Sequence, residues 1–164
     1  MTPEVLCALY AEKVCRFAAV VAGHDKDPED IAQDALLKAI TRLDRFDPAR
    51  GSMESWLWRI VANTAKDAMR RARLRALLTE RLARSEPAVV NLEEVAVDNL
   101  AAGELLNALA RLSPRDRQLI GLRFVADLDT ASVGAIVGLS AESARRAIGR
   151  ALDRLRFLVK GDVR

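Results

Sequence analysis

The sequence predicts an all-α protein made of two small helical domains joined by a flexible linker. Three observations carry that expectation. Of its 164 residues 51% are hydrophobic but only 4% are aromatic, and Ala, Leu and Arg dominate, as in packed helices. The same helix-starting device, a capping residue followed by proline and acid, occurs at Asp27-Pro28-Glu29-Asp30 and at Ser113-Pro114-Arg115-Asp116. Apolar side chains recur at helical spacing along most of the chain and fade only over residues 85–101.

Taken in order, residues 4–22 carry Val5, Leu6, Leu9, Val14, Phe17 and Val21, a first helix expected to pack on the next two. The helix started by Asp27 should run to about Leu43. Its core face holds Ile31, Ala32, Ala35, Leu36, Ala39, Ile40 and Leu43, while Asp30, Gln33, Asp34, Leu37 and Thr41 fall on the other side. Leucine 37 is thereby exposed among polar residues. Residues 46–52, Phe-Asp-Pro-Ala-Arg-Gly-Ser, have turn chemistry, and Ser52 can cap a long helix over residues 53–82. Residues 1–84 form the first domain.

Residues 85–101 hold Pro87 and scattered acids and read as an acidic linker. The second domain, 102–164, comprises helices over 102–112, 114–125, 130–137 and 141–159. Gly138-Leu139-Ser140 joins the last two. A helix, a three-residue turn containing glycine and a second helix make the supersecondary unit that reads duplex DNA.

Charge is distributed by zone. Residues 59–84 hold eight Arg or Lys against Asp67 and Glu80, whereas residues 85–107 hold five acids and no base, within a net charge of only +3. Cys7 and Cys15 are too few for a disulfide scaffold, and on one helix they stand about 12 Å apart, too far to bridge. With His24 they could supply at most three metal ligands. No apolar run reaches the roughly 18–20 residues that span a bilayer, and no signal pattern opens the chain, so a cytoplasmic protein without membrane insertion is expected. No nucleophile–base pair or metal cluster is evident, so neither a cofactor nor an enzymatic activity is expected.

Two constellations suit nucleic acid. On the last helix Ala144, Ile148, Ala151, Leu152 and Leu155 face inward, leaving Glu142, Ser143, Arg145, Arg146, Gly149, Arg150 and Asp153 outward. Guanidinium groups there can reach phosphates or guanine edges, although a solvated amphipathic face has the same pattern. Along the helix over 53–82 run Trp56, Trp58, Arg59, Asn63, Lys66, Arg70, Arg71, Arg73 and Arg75. Rings beside cations suit unpaired bases. Two tryptophans two residues apart cannot share one face, and Trp56 is expected in the core.

These residues resemble a known family. Residues 27–34 (Asp-Pro-Glu-Asp-Ile-Ala-Gln-Asp), 45–52 (Arg-Phe-Asp-Pro-Ala-Arg-Gly-Ser) and 56–63 (Trp-Leu-Trp-Arg-Ile-Val-Ala-Asn), with Asp67 and Arg70-Arg71, resemble region two of extracytoplasmic-function sigma factors. Residues 112–118 and the terminal helix-turn-helix look like region four. The likeness covers roughly residues 5–160 in the family's order and spacing.

The resemblance implies an alternative sigma factor that directs bacterial RNA polymerase core to promoters. Asp30, Gln33, Asp34 and Leu37 would then dock on the polymerase. Asp47, Arg50 and Ser52 would pocket a flipped base of the −10 element, and Arg59, Asn63, Lys66, Arg70 and Arg71 would face its DNA. Glu142, Ser143, Arg145, Arg146, Gly149 and Arg150 would read the −35 duplex. The implied partners are the β′ clamp and β flap of the core, promoter DNA and an anti-sigma factor. The chain departs from the family at Ser132-Val133-Gly134, where acids are common, and at Ala147, where a base is common; Arg146 offers that charge one position earlier. Gly134 and Gly149 each cost a helix about 1 kcal/mol relative to alanine. A sigma mimic that titrates an anti-sigma factor and an unrelated helix-turn-helix repressor are the competing readings.

Overall fold

A computed structural model describes residues 1–24, 27–82 and 100–161, and every regular element among them is helical. Helix α1 (Pro3–Ala22) starts at Thr2, whose Oγ1 accepts from the Val5 N–H at 3.4 Å. Helix α2 (Pro28–Thr41) starts as its sequence requires, with Asp27 Oδ1 accepting from the Glu29 N–H at 2.9 Å and proline in the first turn. It ends two residues before the expected Leu43, which instead opens a 3₁₀ turn, Leu43–Arg45. A second 3₁₀ turn, Pro48–Arg50, leads into α3 (Met53–Leu82), capped by Ser52 Oγ, which accepts from the Ser55 N–H at 3.1 Å.

The second unit comprises α4 (Leu100–Ala110), α5 (Pro114–Ile120), α6 (Thr130–Val137) and α7 (Ala141–Gly161). Ser113 Oγ caps α5 by accepting from the Asp116 N–H at 3.1 Å. The helix expected over 114–125 is α-helical only to Ile120. Gly121–Val125 form a single π turn, closed by the Ala126 N–H donating to the Gly121 carbonyl at 2.9 Å. The expected acidic linker lies outside the described residues except for its last two positions, which begin α4.

Packing corrects three details of the expected core. Val5 and Leu9 are exposed, because they lie about 60–100° round α1 from Leu6, which is buried. Leu36, Ile40 and Leu43 are half-buried, while Ile31, Ala32, Ala35 and Ala39 carry the buried face of α2. The tryptophans exchange their expected places. Trp58 is fully buried, in phase with Val61, Ala62 and Ala65, and meets Phe17 edge-on at 5.4 Å between ring centroids. Trp56 is half-buried and leans on Phe46, 5.7 Å away, ahead of the Pro48–Arg50 turn.

The two units do not have wholly separate cores. Leu119, Leu122, Leu128 and Val133 join the hydrophobic cluster of Phe17 and Trp58, while Leu109, Leu112, Ile120 and Ala151 form a smaller cluster within the second unit. Helix α1 touches α4 and α5, and α3 touches α5 and α6.

Candidate nucleic-acid interface

The helix-turn-helix is assembled by local chemistry. Asp129 caps α6, its Oδ1 accepting from the Ser132 N–H at 2.8 Å, and hydrogen bonding from Ser132 holds its carboxyl below the usual aspartate range. Gly138 ends α6 in the left-handed region at φ 78°, and the Leu139 N–H returns to the Gly134 carbonyl at 2.9 Å. Ser140 Oγ then caps α7, accepting from the Ser143 N–H at 3.1 Å.

Gly134 has a role beyond helix propensity. A Cβ there would stand 2.6 Å from the Leu139 carbonyl oxygen and 3.2 Å from that of Ser140, so only glycine lets the turn pass this closely. A Cβ on Gly149 meets nothing within 4 Å. Gly134→Ala is therefore expected to destabilise the protein by about 2 kcal/mol or more through overpacking. Gly149→Ala should stabilise it by up to about 1 kcal/mol. Thermal unfolding of the two variants checks the opposite signs.

Helix α7 exposes Glu142, Ser143, Arg145, Arg146, Gly149 and Arg150 and buries Ala144, Ala147, Ile148 and Ala151. Ala147 is 9% exposed and belongs to the inward stripe, three residues after Ala144 and four before Ala151. The missing base at that position therefore leaves no gap in the outward face. Glu142 gathers the two central arginines. Its Oε1 accepts from Arg145 Nη2 at 2.9 Å and from Arg146 Nε at 3.0 Å, and its Oε2 from Arg145 Nε at 3.2 Å. These bonds lower the Glu142 pKa and raise that of Arg145. The three-and-four spacing was visible in the sequence, but its effect, two guanidinium groups drawn to one carboxylate, was not.

An ion pair between buried Asp116 and the exposed side chain of Arg154 ties α7 to α5. The Asp116 carboxylate, 6% exposed as a residue, accepts twice from Arg154 Nη1, at 2.8 and 3.0 Å. In the sequence Asp116 looked only like a first-turn acid. Its distance in sequence from Arg154 left no local signal of the pair.

On α3 the candidates divide. Arg59, Asn63, Lys66 and Arg70 are exposed at spacings of four, three and four, one stripe along the helix. Arg71 turns toward α2, its Nη2 4.0 Å from Asp34 Oδ2 and its Nε 3.3 Å from the Asp67 carbonyl. In the loop before α3, Asp47 Oδ1 accepts from the Ala49 N–H at 3.0 Å, Arg50 is exposed, and Gly51 adopts φ 143°. Asp47 and Ser52 thus shape the loop through their side chains, and Trp56 on Phe46 braces it.

On α2, Asp30, Gln33 and Leu37 are exposed, Leu37 at 61%, and Asp34 is half-buried with Lys38 Nζ at 2.9 Å. Asp30 and Asp34 line a cleft with Arg71, Leu74 and Arg75. Among the described residues no group of three or more His, Cys, Asp or Glu could hold a metal ion, and no helix is long and apolar enough to cross a membrane.

Two helical units, one ending in a helix-turn-helix and each exposing a basic helix face, have the architecture of sigma-70 proteins. Residues 6–75 match Sigma-70 region 2 and residues 108–156 match Sigma-70 region 4. The chain is 31% identical over 150 residues to the ECF RNA polymerase sigma factor RpoE of Cereibacter sphaeroides, covering 90% of this chain and 80% of that one. It is 29% identical over 163 residues to the ECF sigma factor SigE of Mycolicibacterium smegmatis, covering 96% of this chain and spanning 62% of the relative. The chain therefore belongs to the extracytoplasmic-function family of RNA polymerase sigma factors. In fold it is similar to the sigma factor RpoE of Bartonella quintana, solved in complex with the anti-sigma factor NepR. That likeness has a TM-score of 0.76 at 24% identity and covers 96% of each chain.

Proposed function

We propose that the chain is an alternative sigma factor that brings bacterial RNA polymerase core to specific promoters in the cytoplasm. It supplies no catalysis of its own. Residues 1–84 form the domain that docks on the β′ clamp and opens the −10 element, and residues 102–164 form the domain that meets the β flap and reads the −35 element. Residues 85–101 tether the two.

The observation that carries this reading is the pair of exposed basic helix faces, one in each family-matched unit. Arg59, Asn63, Lys66 and Arg70 neutralise the backbone of the opened −10 region, with Arg71 at its margin. The loop bearing Asp47, Arg50 and Ser52 receives an extruded base, whose capture offsets the few kcal/mol of unstacking. Glu142, Ser143, Arg145, Arg146, Gly149 and Arg150 face the −35 duplex. There Arg145 and Arg146 must exchange Glu142 for phosphate or guanine, so the carboxylate holds both forks until DNA arrives. Asp30, Gln33, Asp34 and Leu37 dock on the polymerase. The capture of the Bartonella relative with NepR supports an anti-sigma factor as a further partner.

The test adds purified protein to core RNA polymerase and sequences the 5′ ends of transcripts made on genomic DNA. Defined starts that share a two-part upstream motif are expected. Binding to core without defined starts would assign the chain instead to a sigma mimic. Arg145→Ala with Arg146→Ala should remove dependence on the upstream element and leave core binding intact, since each well-placed fork contributes about 1–3 kcal/mol of base discrimination. Unchanged promoter preference in that variant would refute the assignment of α7.

A further inference from the structure

The acid at the centre of the outward face of α7 is out of keeping with a surface that meets polyanionic DNA. Glu142 lies in the first turn of α7, the part of a reading helix that reaches base edges. At about 100° per residue it stands opposite buried Ala151, with Arg145 and Arg146 about 60° and 40° to either side of it. Both guanidinium groups donate to its carboxylate, Arg145 through Nε and Nη2 and Arg146 through Nε. All three side chains are more than half exposed, so the cluster is built on the surface that would receive DNA. Among the described residues Arg150, one turn beyond Arg146, is exposed and has no ion-pair partner, whereas Arg145 and Arg146 share one carboxylate.

The phosphate backbone and the base edges offer this cluster different things. A phosphate supplies only acceptor oxygens and negative charge. An arginine that leaves Glu142 for a phosphate exchanges one charge-assisted bond for another, and the carboxylate left behind faces like charge with no donor to replace the one it lost. Base edges supply both kinds of group. Guanine O6 and N7 accept an arginine fork, and the amino group of cytosine N4 or adenine N6 donates to the freed carboxylate. Only a sequence that sets acceptors and a donor side by side satisfies all three side chains at once.

We propose that Glu142 is a specificity-determining residue of α7, which restrains Arg145 and Arg146 from phosphate-only contacts and releases them where base edges satisfy the arginines and the carboxylate together. The inference rests on the −35 role proposed above for α7. Binding to random sequence depends almost entirely on phosphate, so the restraint weakens it more than it weakens binding to the element. Selectivity rises because the wrong sequences are penalised, at the cost of some affinity for every duplex.

Glu142→Gln keeps the size of the side chain and removes its charge. Fluorescence anisotropy over a range of salt concentrations, with the full-length protein and a labelled random-sequence duplex, reads the effect directly. Affinity for that duplex at low salt should rise about 3- to 10-fold, the scale that two exposed ion pairs supply. The slope of log affinity against log salt should steepen by about one. Binding to the upstream element recovered from the transcript starts should tighten less, so that the ratio of element to random affinity falls at least about 3-fold. A double-mutant cycle separates action through the arginines from a change in net charge. In the Arg145→Ala, Arg146→Ala background, Glu142→Gln should alter random-duplex affinity less than about 2-fold. An equal gain in that background, an unchanged random-duplex affinity or an undiminished ratio overturns the proposal. If random-duplex affinity rises only through the two arginines while the transcripts share no upstream element, the −35 role fails and the restraint on the arginines stands.

Discussion

Trp58→Ala should lower stability by about 3–5 kcal/mol, the range for truncating a large buried aromatic, and depress the melting temperature by about 10 °C or more. The ring is fully buried and forms the joint between Phe17 on α1 and the face of α3 that carries Val61 and Ala62. Its removal leaves a cavity where both units contribute side chains. Against a total stability of about 5–15 kcal/mol such a loss brings the chain near unfolding at physiological temperature. Trp58→Phe is the informative companion. The indole Nε1–H is buried without an acceptor among the described residues, and an orphaned donor costs about 1–3 kcal/mol. Phenylalanine loses part of the ring volume but also removes that donor, so the two effects nearly cancel and the net change should stay within about 1 kcal/mol. Chemical denaturation of both variants checks the contrast. Equal losses would mean that the donor is not the cost assigned to it.

That tryptophan also marks where the sequence stops being informative. The helix starts at Asp27, Ser52, Ser113 and Ser140, and the αL stop at Gly138, were legible because each depends on groups within a few residues. The outward face of α7 was legible for the same reason, since helical period alone separates Arg145 and Arg146 from Ala144 and Ile148. Helical period puts Trp58 in phase with buried Val61, Ala62 and Ala65 and Trp56 in phase with exposed Arg59 and Asn63, so the expectation of Trp56 in the core misread a pattern that was there. What no local pattern gave is the ring each one meets, Phe17 from another helix for Trp58 and Phe46 from the preceding loop for Trp56. The π turn at Gly121 and the buried Arg117 depend on partners farther still, the Val21 carbonyl lying 96 residues from Arg117. Gly134 was misread as a weak point of a helix. It is the clearance that Leu139 and Ser140 need, and only coordinates show the backbone that passes there.

The face of α2 proposed to dock on the polymerase is where the sequence already offered an oddity, a leucine among acids, and where substitution should have the larger functional effect. Leu37→Asp with Asp34→Arg is expected to weaken binding to core polymerase at least about thirty-fold, since loss of one central apolar anchor costs about 2 kcal/mol or more. Exposure alone does not single out Leu37, because Leu9, Leu74, Leu77, Leu78 and Phe157 are exposed as well. The distinction is its setting. Leu37 stands one turn from Asp34 on the outer side of α2, where Asp34 is already paired with Lys38 and approached by Arg71. Arginine at position 34 would place a third cation between those two, so it both inverts the charge offered to a partner and loosens the join between α2 and α3. Leu37→Asp alone isolates the apolar contribution, because its side chain leaves no cavity behind. Duplex binding by α7 in the full-length chain should be unchanged in both variants, as the substitutions lie on α2, away from the exposed arginines of α7. If core affinity survives Leu37→Asp while helical content is intact, polymerase docks elsewhere, and the exposed leucines of α3 become the next surface to substitute.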